Sequence, residues 1–296
     1  MKTSKILLLI FSFIFIFCDS NNIIGQGNAP QKQKQEGVAL KIPGIENVIV
    51  KKDVPYLSTP NSTYKMDIYY PPKFDFTKKI PAIIFLSGAP DSSMIKLVGS
   101  PFKNFSQYTS WCKLVAASGM AAIVYETVDP KNDLISLAEY LYSDKGNLSI
   151  DKNRLGAFVC SGHTPSAISY ILSSSSMFSC AALFYGFVLT SDFENISTVE
   201  SMFKQMGFQN PPVLTDPINW KKEVNLLIVR AGQDKVPFVN QSMQNFINLS
   251  IKQNLPITLI NYPDGPHSFD VNTDNETTSR IILNTLEFWK QNLKVK

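Results

Sequence analysis

Short, continuous apolar runs alternate with helical patterns over most of the 296-residue chain. Such runs are typical of strands that are buried on both faces of a parallel sheet. Between them, apolar residues recur three or four positions apart, as Leu134, Leu137 and Leu141 do, which indicates helices. The alternation predicts an α/β domain with a mostly parallel central sheet and helices on both faces. The runs are 81–86, 120–125, 155–159, 180–187, 225–229 and 257–262.

Different patterns stand at the two ends of this alternation. Near its start, a short apolar run covers 48–50, and Met66, Ile68 and Tyr70 then alternate with other residues, which suits an antiparallel strand. At its end, apolar residues spaced four, three and four apart predict a closing amphipathic helix. These residues are Ile282, Leu286, Trp289 and Leu293.

The N-terminal residues 1–20 have the pattern of a secretory signal peptide. Lys2 and Lys5 precede an apolar run over 6–17 that is too short to span a bilayer comfortably. Small residues allow cleavage after Ser20. The sequence therefore predicts an exported protein, secreted or periplasmic, with no membrane span in the mature chain.

A lipid anchor on Cys18 is the alternative interpretation of this segment. Phe17 stands directly before that cysteine, where lipoprotein signals normally have a small residue. Export without an anchor is therefore the favoured interpretation.

Three further regions follow the signal peptide. Residues 21–43 are polar and lack an apolar period, which predicts a disordered linker. Residues 44–296 form the predicted α/β domain. Within it, 188–222 is polar, irregular and rich in proline, so it is either a lid over the site or a surface excursion.

Charge and cysteine content exclude several classes of function. The net charge of +4, from 28 Lys and Arg against 24 Asp and Glu, is spread without a basic block, so no nucleic-acid partner is expected. Beyond the signal peptide the cysteines are Cys112, Cys160 and Cys180. An odd number without regular spacing predicts neither a disulfide framework nor a metal site, although one disulfide stays open.

The segment around Ser161 predicts a nucleophile elbow. An apolar strand over 155–159 runs into this serine, and the helix that follows begins near Pro165, a residue tolerated in a first helical turn. Such a turn lifts a serine Oγ clear of the sheet. Val159 and His163 occupy the positions two before and two after the serine, where small residues usually stand.

Asp234 and His267 follow two later strands and complete a candidate catalytic triad with Ser161. A serine hydroxyl attacks only when a base takes its proton, and an imidazole base needs a carboxylate to fix its tautomer. The chain's other histidine, His163, is too constrained on the elbow to act as that base. Asp264 and Asp270 are the rivals of Asp234 for the acid.

An oxyanion hole needs two N–H groups that converge on one point. Gly162, directly after the serine, is the first expected donor. The second should come from the loop after the 81–86 strand, at Gly88 or Ala89, because Pro90 has no N–H.

With these residues the chain resembles the α/β-hydrolase superfamily, particularly its dienelactone-hydrolase-like and esterase-like branches. The resemblance extends over about 46–293. It implies a hydrolase without metal or cofactor that cleaves esters through an acyl-enzyme. Dienelactone hydrolases use a cysteine nucleophile, whereas the matching position here is Ser161, with Cys160 one residue earlier. The matching pieces are YKMDIYYP at 64–71, LSG at 86–88, RLG at 154–156, RAGQD at 230–234 and GPHSFD at 265–270.

The sequence therefore favours an exported serine hydrolase, a carboxylesterase for small-molecule esters with small or medium acyl groups. The alternative is a non-catalytic protein of the same fold that binds a ligand or a partner, with His163 filling space at the elbow. A peptidase or an acyltransferase with the same triad is a third interpretation.

Overall fold

The apolar runs form one eight-stranded sheet in the computed structural model, which describes residues 37–205, 208, 213–214 and 220–295. The strands are β1 (Ile49–Thr59), β2 (Ser62–Tyr70), β3 (Ile80–Phe85), β4 (Ala121–Tyr125), β5 (Ile150–Cys160), β6 (Cys180–Phe184), β7 (Asn225–Ala231) and β8 (Ile257–Tyr262). Their order is β1-β2-β4-β3-β5-β6-β7-β8. The pairings β1–β2 and β2–β4 are antiparallel, and all the others are parallel.

Helices cover both faces of this sheet, as the sequence predicts. They are α1 (Asp91–Val98), α2 (Ser106–Ala117), α3 (Pro130–Ser143), α4 (Thr164–Ile171), α5 (Ile196–Gln205), α6 (Val239–Lys252), α7 (Phe269–Asn272) and α8 (Glu276–Asn292). Apolar residues of α2 and α8 belong to the core on one face, and those of α3, α4 and α6 to the core on the other. Successive β5 residues alternate between the two cores: Val159 belongs to the second, and Phe158 and Cys160 to the first.

Strand β1 is much longer than the apolar run at 48–50 predicts. It lies at the edge of the sheet, and its charged residues Lys51 and Lys52 are exposed to solvent. Pro55 is tolerated because an edge strand does not need every N–H for pairing, and the register with β2 shifts on either side of this part of the strand. Because charged residues of this edge strand face solvent, its sequence lacks the apolar pattern by which strands are predicted.

The ordered domain begins before residue 44, which corrects the predicted linker. Residues 21–36 and the predicted signal peptide at 1–20 lie outside the described residues. Val38, in contrast, is buried, and its N–H donates to Ser110 Oγ at 2.8 Å. Leu40 and Ile42 pack against the same core. These contacts of three alternating apolar residues hold 37–43 against the core, so this stretch belongs to the domain.

The described ranges contain no helix that is both long enough and apolar enough to cross a membrane.

Candidate active site

Ser161 lies at the tip of a sharp turn between β5 and α4. The residue has a φ of +50°, in the left-handed region that side chains other than glycine rarely adopt. A single 3-10 turn, Ser161–His163, leads directly into α4, with Pro165 in its first turn as predicted. Strained backbone of this kind persists only where the surroundings fix it, and it often marks functional sites.

The three residues predicted as a triad meet at the carboxyl edge of the sheet. Ser161 Oγ lies 2.9 Å from His267 Nε2, and His267 Nδ1 lies 2.6 Å from Asp234 Oδ2. The Asp234 side chain is fully buried, and its Oδ1 accepts the Val236 N–H at 2.9 Å. Because a carboxylate only accepts, Nδ1 carries the proton and the lone pair of Nε2 faces the serine hydroxyl.

The loops that carry the acid and the base are joined by backbone hydrogen bonds. The Gly232 N–H donates to Tyr262 O at 2.7 Å, and the Gln233 N–H donates to Gly265 O at 2.9 Å. A Cβ at Gly232 would lie 2.2 Å from Pro263 O, so only glycine allows the loops to approach this closely. Asp234 and His267 are therefore held in a fixed mutual position.

Gly232→Ala should separate these two loops. Because the new Cβ would meet a backbone atom, we expect a loss of roughly 1–3 kcal/mol in the free energy of unfolding, as for other strained substitutions. We also expect a fall in kcat with little change in KM. Urea unfolding and ester kinetics check both effects, and a variant with wild-type stability would contradict the described contact.

Neither rival of Asp234 faces His267 in its place. Asp264 is exposed to solvent. Asp270 is fully buried, and its carboxyl oxygens accept hydrogen bonds from Trp111, Gln107 and Tyr185. The geometry therefore favours Asp234 as the acid.

The cysteine beside the elbow is directed into the core. Cys160 Sγ is buried and lies 3.4 Å from Tyr108 Oη. Burial raises the pKa of its thiol to about 12, so it stays protonated near neutral pH and cannot act as a thiolate nucleophile. Cys112 and Cys180 are also buried, and all three thiols are free.

His163 accepts a hydrogen bond from one of the two candidates for the second oxyanion donor. The Gly88 N–H donates to His163 Nδ1 at 2.9 Å, which leaves the imidazole proton on Nε2. A Cβ at Gly88 would lie 2.6 Å from the backbone of His163, so glycine is required for this approach. Of the two candidates for the second oxyanion donor, this bond favours Ala89 over Gly88. Sequence reasoning missed this bond because a side chain on another element makes it.

Burial keeps His163 neutral. Its imidazole is enclosed by the rings of Phe102, Tyr108 and Phe208, with centroid distances of 5.3, 5.9 and 5.9 Å. Desolvation lowers the pKa of His163 to about 4 from 6.5. In the unfolded chain the same group takes up a proton near pH 6.5, so it contributes stability above that pH and loses it as the pH falls toward 4.

His163→Asn should remove this part of the pH dependence. Asparagine keeps an acceptor near the position of Nδ1 but does not titrate. Between pH 6.5 and 4 we expect wild type to lose about 3 kcal/mol more in the free energy of unfolding than the variant. Denaturant unfolding at several pH values measures the difference, and parallel curves would show that His163 titrates normally in the folded protein.

Part of the 188–222 excursion lies beside the nucleophile. Phe203, on α5, is buried against Phe187, with a centroid distance of 5.3 Å, and Phe208 lies 5.3 Å from Phe203. A Cβ at Gly162 would be 3.3 Å from Phe208 and 3.8 Å from Phe203. We call Phe187, Phe203 and Phe208 the aromatic wall. The described part of the excursion thus reaches the site, while 206–207, 209–212 and 215–219 lie outside the described residues.

In the part of the chain that the structure describes, no group of three or more His, Cys, Asp and Glu residues could hold a metal ion. That the site needs neither metal nor cofactor stays a prediction.

Comparison with known proteins places the fold. No protein-family model and no curated protein sequence matches the chain. Among solved structures, esterase B from Lactobacillus rhamnosis, inhibited by a C4-C4 SN3 tributyrin phosphonate, has a TM-score of 0.60 and 13% identity and covers 84% of this chain and 87% of its own. MGS-M1, an α/β hydrolase from a Medee basin deep-sea metagenome library, has a TM-score of 0.61 and 12% identity. The match covers 84% of this chain and 99% of the MGS-M1 chain.

Brefeldin A esterase, a bacterial homologue of human hormone-sensitive lipase, is similar as well, with a TM-score of 0.62 and 10% identity over 88% of this chain and 82% of its own. The chain therefore has the α/β-hydrolase fold. Within that fold, the serine, histidine and carboxylate stand at the strand ends where the sequence predicts them. The resemblance to the dienelactone hydrolases in particular stays a prediction.

Proposed function

We propose that the protein is an exported serine hydrolase that cleaves carboxylic esters through an acyl-enzyme on Ser161. One observation carries the proposal: the unbroken series of hydrogen bonds from Ser161 Oγ through His267 to the buried carboxylate of Asp234. The basic and apolar pattern of residues 1–20 supports export, to a periplasm or to the outside of the cell.

The arrangement suits general-base catalysis. As Ser161 Oγ attacks the ester carbonyl, its proton passes to His267 Nε2, and Asp234 stabilises the imidazolium that forms. The imidazolium then gives this proton to the departing alcohol, which leaves an acyl group on Ser161. Water, deprotonated by the same imidazole, attacks the acyl-enzyme and releases the acid and the free serine.

The oxyanion formed in each step needs backbone donors. Gly162 and Ala89 are the donors in this proposal, because the Gly88 N–H is bound to His163. The Ala89 N–H contacts Ser87 Oγ at the long distance of 3.3 Å, a weak bond that a charged oxyanion would replace with a stronger one. Two such donors are typical of acyl-transfer sites.

The aromatic wall favours an ester with an apolar acyl group. The Phe203 and Phe208 rings lie within contact distance of the space beside Gly162, the residue directly after the nucleophile. The phosphonate bound by the structurally similar esterase B is derived from tributyrin, a short-chain ester. A small-molecule ester with a short or medium acyl chain is therefore the proposed substrate.

A fluorophosphonate probe tests this proposal directly. The probe phosphonylates a serine only when base and oxyanion donors activate it, and peptide mass spectrometry locates the adduct. We expect an adduct on Ser161, together with turnover of p-nitrophenyl butyrate. An adduct on any other residue, or none, would overturn the assignment. Amide substrates and alcohol acceptors, tested alongside, separate an esterase from a peptidase or an acyltransferase.

One observation favours a second candidate, a non-catalytic protein that binds a ligand at this site. His163 withdraws the Gly88 N–H from the expected oxyanion hole. In this case wild type should resist the fluorophosphonate probe, while esters bind without turnover and raise the thermal midpoint of unfolding.

A further inference from the structure

Asp270 is a buried carboxylate for which the proposed mechanism has no role. It is 0% exposed. Its Oδ2 accepts hydrogen bonds from Trp111 Nε1 at 2.7 Å and Gln107 Nε2 at 3.0 Å, and its Oδ1 accepts the Tyr185 hydroxyl at 2.5 Å. Burying a carboxylate is costly, and three donors offset the cost. The residue follows His267 by three positions and belongs to α7, so it lies close to the catalytic base along the chain.

Tyr185 connects this carboxylate to the base. Its ring packs against the imidazole of His267 with a centroid distance of 4.8 Å. Its hydroxyl donates to Asp270 and also accepts the Gln107 side-chain N–H at 3.0 Å. The phenol ring therefore contacts the catalytic histidine at a tilt of 58°, while its oxygen is hydrogen-bonded to both Asp270 and Gln107.

The backbone of Tyr185 is held in an unfavourable conformation. Its φ is +35°, which a bulky residue rarely adopts. The residue directly follows β6, and its N–H donates to Val229 O at 2.9 Å. Two positions on, the Phe187 N–H donates to Ser161 O at 3.3 Å. The segment 185–187 thus contacts both the base and the nucleophile, and such strain persists only when neighbouring contacts enforce it.

We infer that Tyr185 is a positioning residue for His267 and that Asp270 locks it in place. The inference rests on the proposed hydrolase function. Tyr185 acts through the imidazole, since its hydroxyl is directed to the buried carboxylate. An imidazole that tilts away from Ser161 Oγ loses the geometry for proton transfer, and small displacements of this kind reduce rates by one or two orders of magnitude.

A purely structural network would behave differently. Asp270 also ties α7 to α2 through Gln107 and Trp111, so its loss would lower stability in any case. A structural role predicts loss of stability with unchanged turnover per folded molecule. A positioning role predicts a fall in kcat at unchanged KM, because the ester still binds.

The experiment compares Tyr185→Phe, Asp270→Asn and the double variant with Tyr70→Phe. Tyr70 is the matched control, because it is a fully buried tyrosine whose hydroxyl donates to Leu148 O at 2.7 Å in the other core. For p-nitrophenyl butyrate we expect each single variant of the network to lower kcat about tenfold with KM within about twofold. The double variant should be no worse than the poorer single, since both changes break one connection. Tyr70→Phe should lose stability and keep its kcat.

Wild-type kcat in folded Tyr185→Phe, or independent and additive losses in the double variant, would overturn the inference. If Asp270→Asn does not fold, Tyr185→Phe and Tyr70→Phe decide alone, by whether kcat falls in the first and not in the second. Wild type that neither turns over esters nor reacts with fluorophosphonate overturns the proposed function instead, so the two failures are distinguishable.

Discussion

Ser161→Ala should lower the turnover of p-nitrophenyl esters by about 10⁴-fold or more. Without Oγ no acyl-enzyme can form, and only binding and oxyanion stabilisation remain. The fold should be little affected, because alanine keeps the Cβ at the strained φ of +50° and the change removes one hydrogen bond, to His267. We expect the free energy of unfolding to change by less than about 1 kcal/mol. Steady-state kinetics and thermal unfolding measure both.

Ser166→Ala is the matched control for this variant. Ser166 lies in the first turns of α4, five positions after the nucleophile, and is only partly buried. Its loss should leave kcat and KM unchanged. If Ser161→Ala retained activity near that of Ser166→Ala, the nucleophile would have to be sought elsewhere.

Asp234→Asn should lower kcat by about 10⁴-fold, the effect known for the same change in a serine–histidine–aspartate triad. The local hydrogen bonds give the reason. The Val236 N–H at 2.9 Å requires an acceptor, so the new carbonyl oxygen turns toward it and the amide N–H₂ faces His267 Nδ1. Nδ1 must then accept, which moves the imidazole proton to Nε2. In that tautomer the base cannot take the serine proton.

Asp264→Asn provides the comparison, since Asp264 is an exposed acid in the loop that carries the base. Its kinetics should match those of wild type. The opposite ranking, with a large loss at Asp264 and a small one at Asp234, would reassign the acid. Measuring kcat and kcat/KM for wild type and both variants at one fixed pH makes the three proteins directly comparable.

The sequence predicted the positions of the candidate triad because one rule of topology relates them. Carboxyl ends of parallel strands meet at one edge of a sheet, so residues that follow β5, β7 and β8 come together however distant they are in the chain. To predict that Ser161, Asp234 and His267 come together, it was enough to place the ends of these strands correctly. The α/β class followed from the alternation of strands and helices, and the resemblance of the matching segments implied the α/β-hydrolase fold.

Features that depend on packing between side chains could not be predicted in this way. The bond from Gly88 to His163 joins residues 75 positions apart, and it exists because three aromatic rings hold the imidazole against the loop after β3. No local sequence pattern predicts such a contact. The bulky Val159 is accommodated for a similar reason, since it enters the core on the α4 face and does not crowd the turn.

The hydrogen bonds between the loops after β7 and β8 give the site an uneven stiffness. The acid and the base lie on loops joined by the Gly232–Tyr262 and Gln233–Gly265 hydrogen bonds, whereas the serine lies on a separate turn between β5 and α4. The two parts are joined by the 2.9 Å contact between Ser161 Oγ and His267 Nε2 and by the segment 185–187, which contacts both. Gentle heating or mild denaturant should separate these two parts first. Ester turnover should then be lost while the sheet and both cores are still folded.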